Sequence, residues 1–432
     1  MNLRRNALLL ALLTALLAVL GDWSGDSLLG KLWRLPAGLL LLGLAYESFI
    51  ASRARVAVVV EAASQWYLGR VNPVRMRFEQ QLLRPVAIEF APHAPAPFSL
   101  DFAVRTLDIP VAAPASLEVA VTPRRLGRFA WPAQRVRIVG PLQLASWSRR
   151  LDVSCEARVL PDLLRSAPQV QGLGALGNRI SLRHGAGAEL LQLRAYQPGD
   201  PPRIIDWKAS ARARRLISRD FAEDQHLEVI VVIDAGRSSA MRSGALDRFG
   251  HYVNAAARLA QYVVSQDDLI GLVLFADQPL LALPPARGMR AVTRLRQVLA
   301  DAQVTASESN PLQAALRVRS LVRQRSLVVL LTDLDDADVA SQLLGAVRLL
   351  LPKHLPFVAG LSSAAAETLA ESAARDWLDP FESLAAQEYC TGLDRKVQAL
   401  RALGAPALVA RPEQLEGAVL DAYLRFRQRR RV

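Results

Sequence analysis

The sequence predicts a multidomain protein: an N-terminal transmembrane helical hairpin, a small antiparallel β-sandwich and a doubly wound α/β domain. Three observations support this prediction. Two apolar runs come first, short punctuated strands follow them, and strand and helix patterns alternate beyond residue 226. The chain has 432 residues, of which 51% are hydrophobic, so it is long and apolar enough to build several domain cores.

The hairpin is predicted over residues 1–55. Residues 6–20 and 35–51 are almost wholly apolar, and each run is close to the roughly 17 residues that a bilayer-spanning helix needs. A signal peptide is the alternative, because Arg4 and Arg5 precede a short apolar core. A lone signal peptide leaves the second run unexplained, which favours the hairpin.

The charges around the hairpin predict its orientation. Arginines flank it on both outer sides, whereas its loop carries Lys31 and Arg34 together with Asp22 and Asp26. Under the positive-inside rule this modest asymmetry places both ends in the cytoplasm. We therefore expect a multi-pass protein of the inner (plasma) membrane, in contact with the lipid bilayer, whose soluble domains are cytoplasmic.

Residues 56–160 have the pattern of short strands. The run Arg75-Met76-Arg77-Phe78 alternates polar and apolar side chains, and Pro and Gly separate successive runs. This pattern is typical of a small antiparallel β-sandwich.

Residues 161–226 are predicted to be a linker followed by a segment rich in Arg and aromatic residues. The GLGALG run at 172–177 is not interpreted as a phosphate loop, because no strand precedes it and no helix follows it.

Residues 227–415 are predicted to form the α/β domain. We expect strands at 227–234, 269–276, 279–285, 326–336, 355–363 and 406–412, and helices at 248–264, 289–299, 311–322, 339–350 and 393–403. The continuously apolar runs VIVVI and LVVLL indicate strands buried on both faces of a parallel sheet. Residues 416–432 are assigned to a basic tail, whose last part, 425–432, is expected to be a solvated or frayed helix end, with contact to anionic lipid as the alternative.

Two central strands end in carboxylates, Asp234 and Asp333. In a doubly wound sheet such strand ends can meet at the topological switch point. Asp234-x-Gly236-x-Ser238 resembles the Asp-x-Ser-x-Ser motif of von Willebrand factor A-type domains. This resemblance implies a metal-ion-dependent adhesion site in which Asp234, Ser238, Ser309 and Asp333 hold Mg²⁺, with Thr305 as the alternative to Ser309.

Two interpretations of these residues remain open. Hydroxyls and carboxylates suit a hard divalent cation, but Gly236 stands where the motif has its first Ser. Ser239 replaces that hydroxyl only if the turn shifts by one residue. In the other interpretation, Asp234 and Asp333 cap helix N-termini without any metal.

The segment YQPGDPPRIIDWKASAR at 196–212 precedes the α/β domain. It resembles the signature Y-x-P-G-D-x-x-R-x-I-D-W-x-x-S-A-R of the bacterial family called "domain of unknown function 58", and Arg219 and Glu223 also fit that pattern. The apolar runs, the strand-rich region and the A-type domain are typical of the same family. The resemblance implies a bacterial inner-membrane protein that cooperates with MoxR-type AAA+ ATPases, which assist assembly or metal insertion of other proteins.

The same segment, called the signature segment below, suggests a structural brace or partner-docking site. We expect Asp200 and Asp206 to pair with Arg203, Arg212 and Arg219, and Trp207 to pack on the A-type domain. A direct ligand or partner site is the alternative to this brace.

The expected function is that of a protein-interaction adaptor, not an enzyme. The 5 His are scattered, and neither an HExxH nor a GxSxG motif occurs. A metal-dependent hydrolase, or a structural envelope protein with a degenerate cation site, are the alternatives. The net charge of +13 is spread along the chain without interleaved aromatic residues, so nucleic-acid binding is not expected.

Overall fold

The computed structural model describes residues 1–24, 29–100, 103–111, 113–162, 184–222, 226–372 and 376–430. The chain divides into two compact units, Met1–Pro161 with Ala300–Ala302, and Asp162–Leu299 with Gln303–Val432. Most of the predicted linker, including the GLGALG run, lies outside the described residues, as does Glu223.

The first unit begins with a short strand and three helices: β1 (Asn2–Leu3), α1 (Arg5–Ser24), α2 (Leu29–Leu32) and α3 (Arg34–Arg53). Among the described helices, α3 is the one that is long and apolar enough to cross a membrane, and the apolar part of α1 is the shorter stretch Arg5–Leu20. A signal sequence near the N-terminus passes the same test of length and composition. The multi-pass hairpin therefore stays a prediction.

The strands of the first unit are β2 (Val56–Glu61), β3 (Gln65–Tyr67), β4 (Asn72–Gln80), β5 (Val86–Phe90), β6 (Phe98–Leu100), β7 (Arg105–Ile109), β8 (Ala115–Pro123), β9 (Gly127–Ala130), β10 (Gln134–Val139), β11 (Ala145–Leu151) and β12 (Glu156–Leu160). They pair in the orders β1-β11-β10-β5-β7, β2-β4-β8-β6 and β3-β12-β9. Alternate residues of β4 are buried, as the period of a strand with one buried face requires. Phe78 of the four-stranded sheet packs edge-on against Phe90 of the five-stranded sheet, with ring centroids 4.8 Å apart.

The end of α3 is held by the turn between β10 and β11. Gly43, Glu47 and Ala51 are buried and share one face of the helix. The Glu47 carboxylate accepts hydrogen bonds from the backbone N–H groups of Leu142, Leu144 and Ala145 at 2.8, 3.2 and 2.8 Å. Strand β1 pairs with β11 beside the same turn. The start of α1 and the end of α3 therefore lie at one place on the first unit.

The second unit contains β13 (His184–Ala195), α4 (Trp207–Ala213), β14 (Ile217–Ala222), β15 (Glu228–Asp234), β16 (Arg242–Ser243), β17 (Leu246–Asp247), α5 (Arg248–Ser265), β18 (Leu269–Phe275), β19 (Pro279–Ala286), α6 (Gly288–Ala300), α7 (Pro311–Leu321), β20 (Leu327–Leu331), α8 (Ala337–Leu350), β21 (Leu355–Leu361), α9 (Ala364–Glu371), α10 (Asp379–Ala402), β22 (Ala407–Ala410) and α11 (Leu415–Arg430).

A six-stranded sheet forms the centre of this unit, in the order β19-β18-β15-β20-β21-β22. β19 pairs antiparallel to β18 at one edge, and the other neighbours are parallel. β20 is buried along its whole length, as predicted for a strand covered on both faces. From β15 the chain runs outward through β18 to β19 at one edge of the sheet, and it then returns to the other side of β15 to form β20. The topological switch point therefore lies between β15 and β20. The predicted α/β class is thereby confirmed.

The C-terminal region differs from the predicted tail. Leu415–Arg430 forms α11, in which Leu415, Val419 and Tyr423 are buried. Arg427 forms an ion pair with Asp268 at 3.3 Å. The segment is therefore a packed helix and not a separate tail, because an apolar stripe with helical spacing lies among its arginines.

Candidate functional site

The predicted cation residues lie at the carboxyl edge of the sheet, between β15 and β20. Asp234 is the last residue of β15 and is fully buried. Thr332 and Asp333 directly follow β20, and Thr332 Oγ1 donates to Asp234 Oδ2 at 2.6 Å. The switch point thus brings the two strand ends together.

The Asp234 carboxylate is surrounded by hydrogen-bond donors. Besides Thr332, Ser309 Oγ donates to Oδ1 at 2.5 Å, and the Gly236 N–H donates to the same oxygen at 2.8 Å. Burial raises the pKa of Asp234, and these donors act in the opposite direction. Thr332 was not predicted as a site residue, although it adjoins Asp333 in the chain.

Gly236 is explained by the position of Ser309. A Cβ at residue 236 would stand 2.1 Å from Ser309 Oγ and 3.1 Å from the Ser307 carbonyl oxygen. The φ of Gly236 is −75°, which any residue adopts. The glycine is therefore needed for space, and the Ser309 hydroxyl occupies the volume in which the motif's first serine side chain would begin.

The other predicted hydroxyls have separate surroundings. Ser239 Oγ donates to the Asp234 carbonyl oxygen at 2.9 Å, and Thr305 Oγ1 donates to the Ala235 carbonyl oxygen at 3.2 Å. Ser238 Oγ is buried and has no hydrogen-bond partner among the described residues. Of the two alternatives, Ser309 and not Thr305 reaches the Asp234 carboxylate.

Asp333 is paired with a residue that the sequence analysis missed. Arg248, the first residue of α5, donates from Nη1 to Asp333 and from Nη2 to Asp335. Its side chain is 7% exposed and that of Asp333 is 2% exposed. Burial lowers the pKa of Arg248, but the two carboxylates outweigh burial, so the pKa lies above its ordinary value.

The loop after β20 is also held by helix α10. Tyr389 Oη donates to Asp335 Oδ1 at 2.8 Å. Lys396 Nζ donates to the carbonyl oxygens of Leu334 and Asp335, each at 2.7 Å. No local sequence signal points to these residues, because they lie far along the chain from the loop. Asp333 does not cap the following helix, as one interpretation of the sequence expected. The N-cap of α8 is Asp336, whose side chain accepts from two N–H groups at the start of that helix.

This arrangement does not fit the predicted Mg²⁺ ligand set. A hard cation needs free oxygen ligands, yet Asp234 accepts from three donors and Asp333 is bound by a guanidinium. Within the described residues, no group of three or more His, Cys, Asp or Glu residues is placed to hold a metal. Mg²⁺ binding itself stays a prediction, and the chemistry of the donor set weighs against it.

The signature segment folds into a compact brace within the second unit. Arg194 binds Asp200 with two hydrogen bonds of 2.7 Å, and the Asp200 carboxylate also accepts from Ser218 Oγ and the Gln197 N–H, each at 3.0 Å. The hydrogen bond from Arg194 is the main reason why the pKa of Asp200 lies well below its usual range. The partner of Asp200 is thus Arg194, which lies outside the predicted set of Arg203, Arg212 and Arg219.

Asp206 starts helix α4. It accepts from the Ala209 N–H at 2.9 Å as an N-cap and pairs with Arg219 Nε at 3.0 Å, as predicted. Arg203 and Arg212 do not join this network; both are exposed and pair with no described residue. Trp207 is 66% exposed, so the predicted packing of this side chain on the α/β domain is wrong. At the first turn of a seven-residue helix, its ring faces solvent instead.

Residues 192–350 match the profile of the family described as "Protein of unknown function DUF58". This match confirms the resemblance over that region. Uncharacterized protein Rv1480 of Mycobacterium tuberculosis and uncharacterized protein Mb1516 of Mycobacterium bovis are each 26% identical over 159 residues, which cover 36% of this chain. The matched region spans 50% of the length of these relatives.

Solved structures give weaker similarities. The conserved hypothetical protein BatB from Bacteroides thetaiotaomicron has a TM-score of 0.31 and 14% identity, over 47% of this chain and 99% of that one. Proximal thread matrix protein 1 from the mussel byssus has a TM-score of 0.27 and 13% identity, over 39% of this chain and 48% of that one.

Proposed function

We propose that this chain is a membrane-anchored adaptor of the bacterial inner membrane. It presents a cytoplasmic von Willebrand factor A-like domain and acts with a MoxR-type AAA+ ATPase in the assembly or maturation of other proteins. The observation that carries the proposal is the exposed side of the signature segment. Trp207 is 66% exposed, and Arg203, Lys208 and Arg212 are exposed in the same stretch of chain.

This surface has the character of a docking site. Trp and Arg are the residue types that contribute most to binding energy at protein interfaces. The ion pairs of Asp200 with Arg194 and of Asp206 with Arg219 fix the backbone of the segment. Little backbone freedom is therefore lost when a partner binds. The cationic side chains favour an acidic surface on the partner.

The membrane anchor is supported by the first two long helices. Both expose apolar side chains along their length; Leu12 of α1 is 68% exposed and Leu42 of α3 is 73% exposed. Apolar surface on this scale indicates contact with lipid or protein. Because the start of α1 and the end of α3 lie at the same turn, a hairpin would return the chain to one side of the membrane.

The test is co-purification from membranes with the full chain in detergent, followed by identification of bound proteins. We expect an AAA+ ATPase to be recovered with the wild type and lost with Trp207→Ala. Trp377→Ala is the matched control, since Trp377 is 76% exposed in the same unit. Equal recovery with Trp207→Ala would contradict the docking surface. Hydrolase activity of the wild type lost in Asp234→Ala would favour the metal-dependent hydrolase, and a chain with neither partner nor activity would favour the envelope protein.

A further inference from the structure

We infer that Arg248 is the resident cation at the carboxyl edge of the sheet. Its guanidinium lies between Asp333 and Asp335 and supplies the positive charge that the A-type resemblance assigns to Mg²⁺. The edge therefore holds its carboxylates together without a metal. This inference is independent of the adaptor proposal, because it concerns only how the edge is neutralised.

The guanidinium is positioned by helix α5. Asp247 caps that helix by accepting from the Gly250 N–H at 2.7 Å, and Phe249 and Tyr252 in the first turns of the helix are buried. Arg248 is thereby fixed at the first turn, with one amino group on each carboxylate. A planar guanidinium holds its N–H donors in fixed directions, so one such group can bind two carboxylates at defined positions.

The charge balance leaves little attraction for a divalent ion. Asp333 and Asp335 face Arg248, and Lys396 places a second cation on the backbone of the same loop. The third carboxylate, Asp234, is buried and accepts from three donors. A metal ion at this edge would have to displace a buried guanidinium, which would then lack a partner, and an unpaired buried charge is strongly unfavourable.

The same contacts hold the loop in one arrangement. Arg248 from α5 and both Tyr389 and Lys396 from α10 bind the residues from Asp333 to Asp335. A partner that docks at this edge meets a preformed surface, and its own acidic side chain does not complete a metal coordination shell. Docking there is therefore expected to resist chelators.

The test uses the full chain in detergent, stripped with EDTA and titrated with Mn²⁺, a paramagnetic ion that reports its own binding by EPR. Wild type is expected to bind no Mn²⁺ at this edge and to keep its Tm. Arg248→Met is expected to lower the Tm and to gain Mn²⁺ binding, with a Tm rise of roughly 5 °C or more when the ion is well above its Kd. The further change Asp333→Asn should abolish that gain.

Arg258→Met is the matched control, because Arg258 also lies on α5 and forms a largely buried ion pair with Glu416 at 2.6 Å. It should gain no Mn²⁺ binding. Wild-type Mn²⁺ binding that Asp333→Asn removes would overturn the inference, and so would a folded Arg248→Met that binds no Mn²⁺. If Arg248→Met folds only when Mn²⁺ is present, the inference is supported. If Arg248→Met does not fold even with Mn²⁺, the wild-type titration decides. No Mn²⁺ binding at this edge in the wild type supports the inference, and binding that Asp333→Asn removes overturns it.

Discussion

Replacing Gly236 by Ala tests the proposed exchange of space between this residue and Ser309. The added Cβ would stand 2.1 Å from Ser309 Oγ, so the hydroxyl must turn away and lose its 2.5 Å hydrogen bond to Asp234. A hydrogen bond to a charged group contributes about 1.5–3 kcal/mol. Crowding against Ser307 and Asp234 adds about 1 kcal/mol, and the restricted unfolded chain returns roughly 0.4–1 kcal/mol.

These values give a net loss of about 1.5–3.5 kcal/mol, or a fall in Tm of roughly 3–14 °C for a unit of this size. A double-mutant cycle with Ser309→Ala isolates the contact. Ser309→Ala alone should cost about 1.5–3 kcal/mol, and adding Gly236→Ala should cost little more, because the clashing hydroxyl is gone. The assay is thermal and denaturant unfolding of the full chain in detergent.

Strictly additive effects in this cycle would show that Gly236 and Ser309 do not compete for one space. Gly392→Ala is the control for the sign of the change. Gly392 lies in α10 with no atom within 4 Å of an added Cβ, so Ala there should stabilise the protein by about 1 kcal/mol.

Glu47 and Asp200 are two further carboxylates whose hydrogen bonds can be tested by substitution. Glu47→Ala leaves the N–H groups of Leu142, Leu144 and Ala145 without their acceptor. Because each unsatisfied group costs about 1–3 kcal/mol, the hydrogen exchange of these amides should accelerate on the order of 10²-fold. Gly38→Ala in the same helix should leave their exchange unchanged, and unaltered protection in Glu47→Ala would contradict the contact. Asp200→Asn should lower the Tm at neutral pH. Because the pKa of Asp200 is lowered in the folded state, chiefly by Arg194, the stability that the carboxylate contributes is present above its unfolded value of about 3.9. It is lost progressively as the pH falls from that value through the lower pKa of the folded state. The Tm difference between wild type and Asp200→Asn should therefore shrink steadily as the pH falls below about 4, and a difference that does not shrink at all in acid would contradict the pairing.

The central sheet was predictable because its strands are marked by local composition. Runs such as VIVVI and LVVLL are buried on both faces, and the meeting of Asp234 with the end of β20 follows from the strand order alone. Arg248 was not predictable, because its partners Asp333 and Asp335 are 85 and 87 residues away along the chain. The exposure of Trp207 was not predictable for a different reason. Large aromatic residues are usually buried, but this one starts a short helix whose buried residue is Ser210.

The two strand-end carboxylates are satisfied by different means, and this bears on where the proposed partner is expected to bind. Asp234 is satisfied by two hydroxyls and a backbone N–H, whereas Asp333 is satisfied by a buried guanidinium. A buried charge that already has its partners gains little from a further ligand. Recognition is then expected to depend on groups that are exposed and held rigidly. Trp207 is exposed and directly follows Asp206, whose N-cap hydrogen bond and ion pair fix the backbone at that point. We therefore expect binding to be lost in Trp207→Ala and to be retained after chelation.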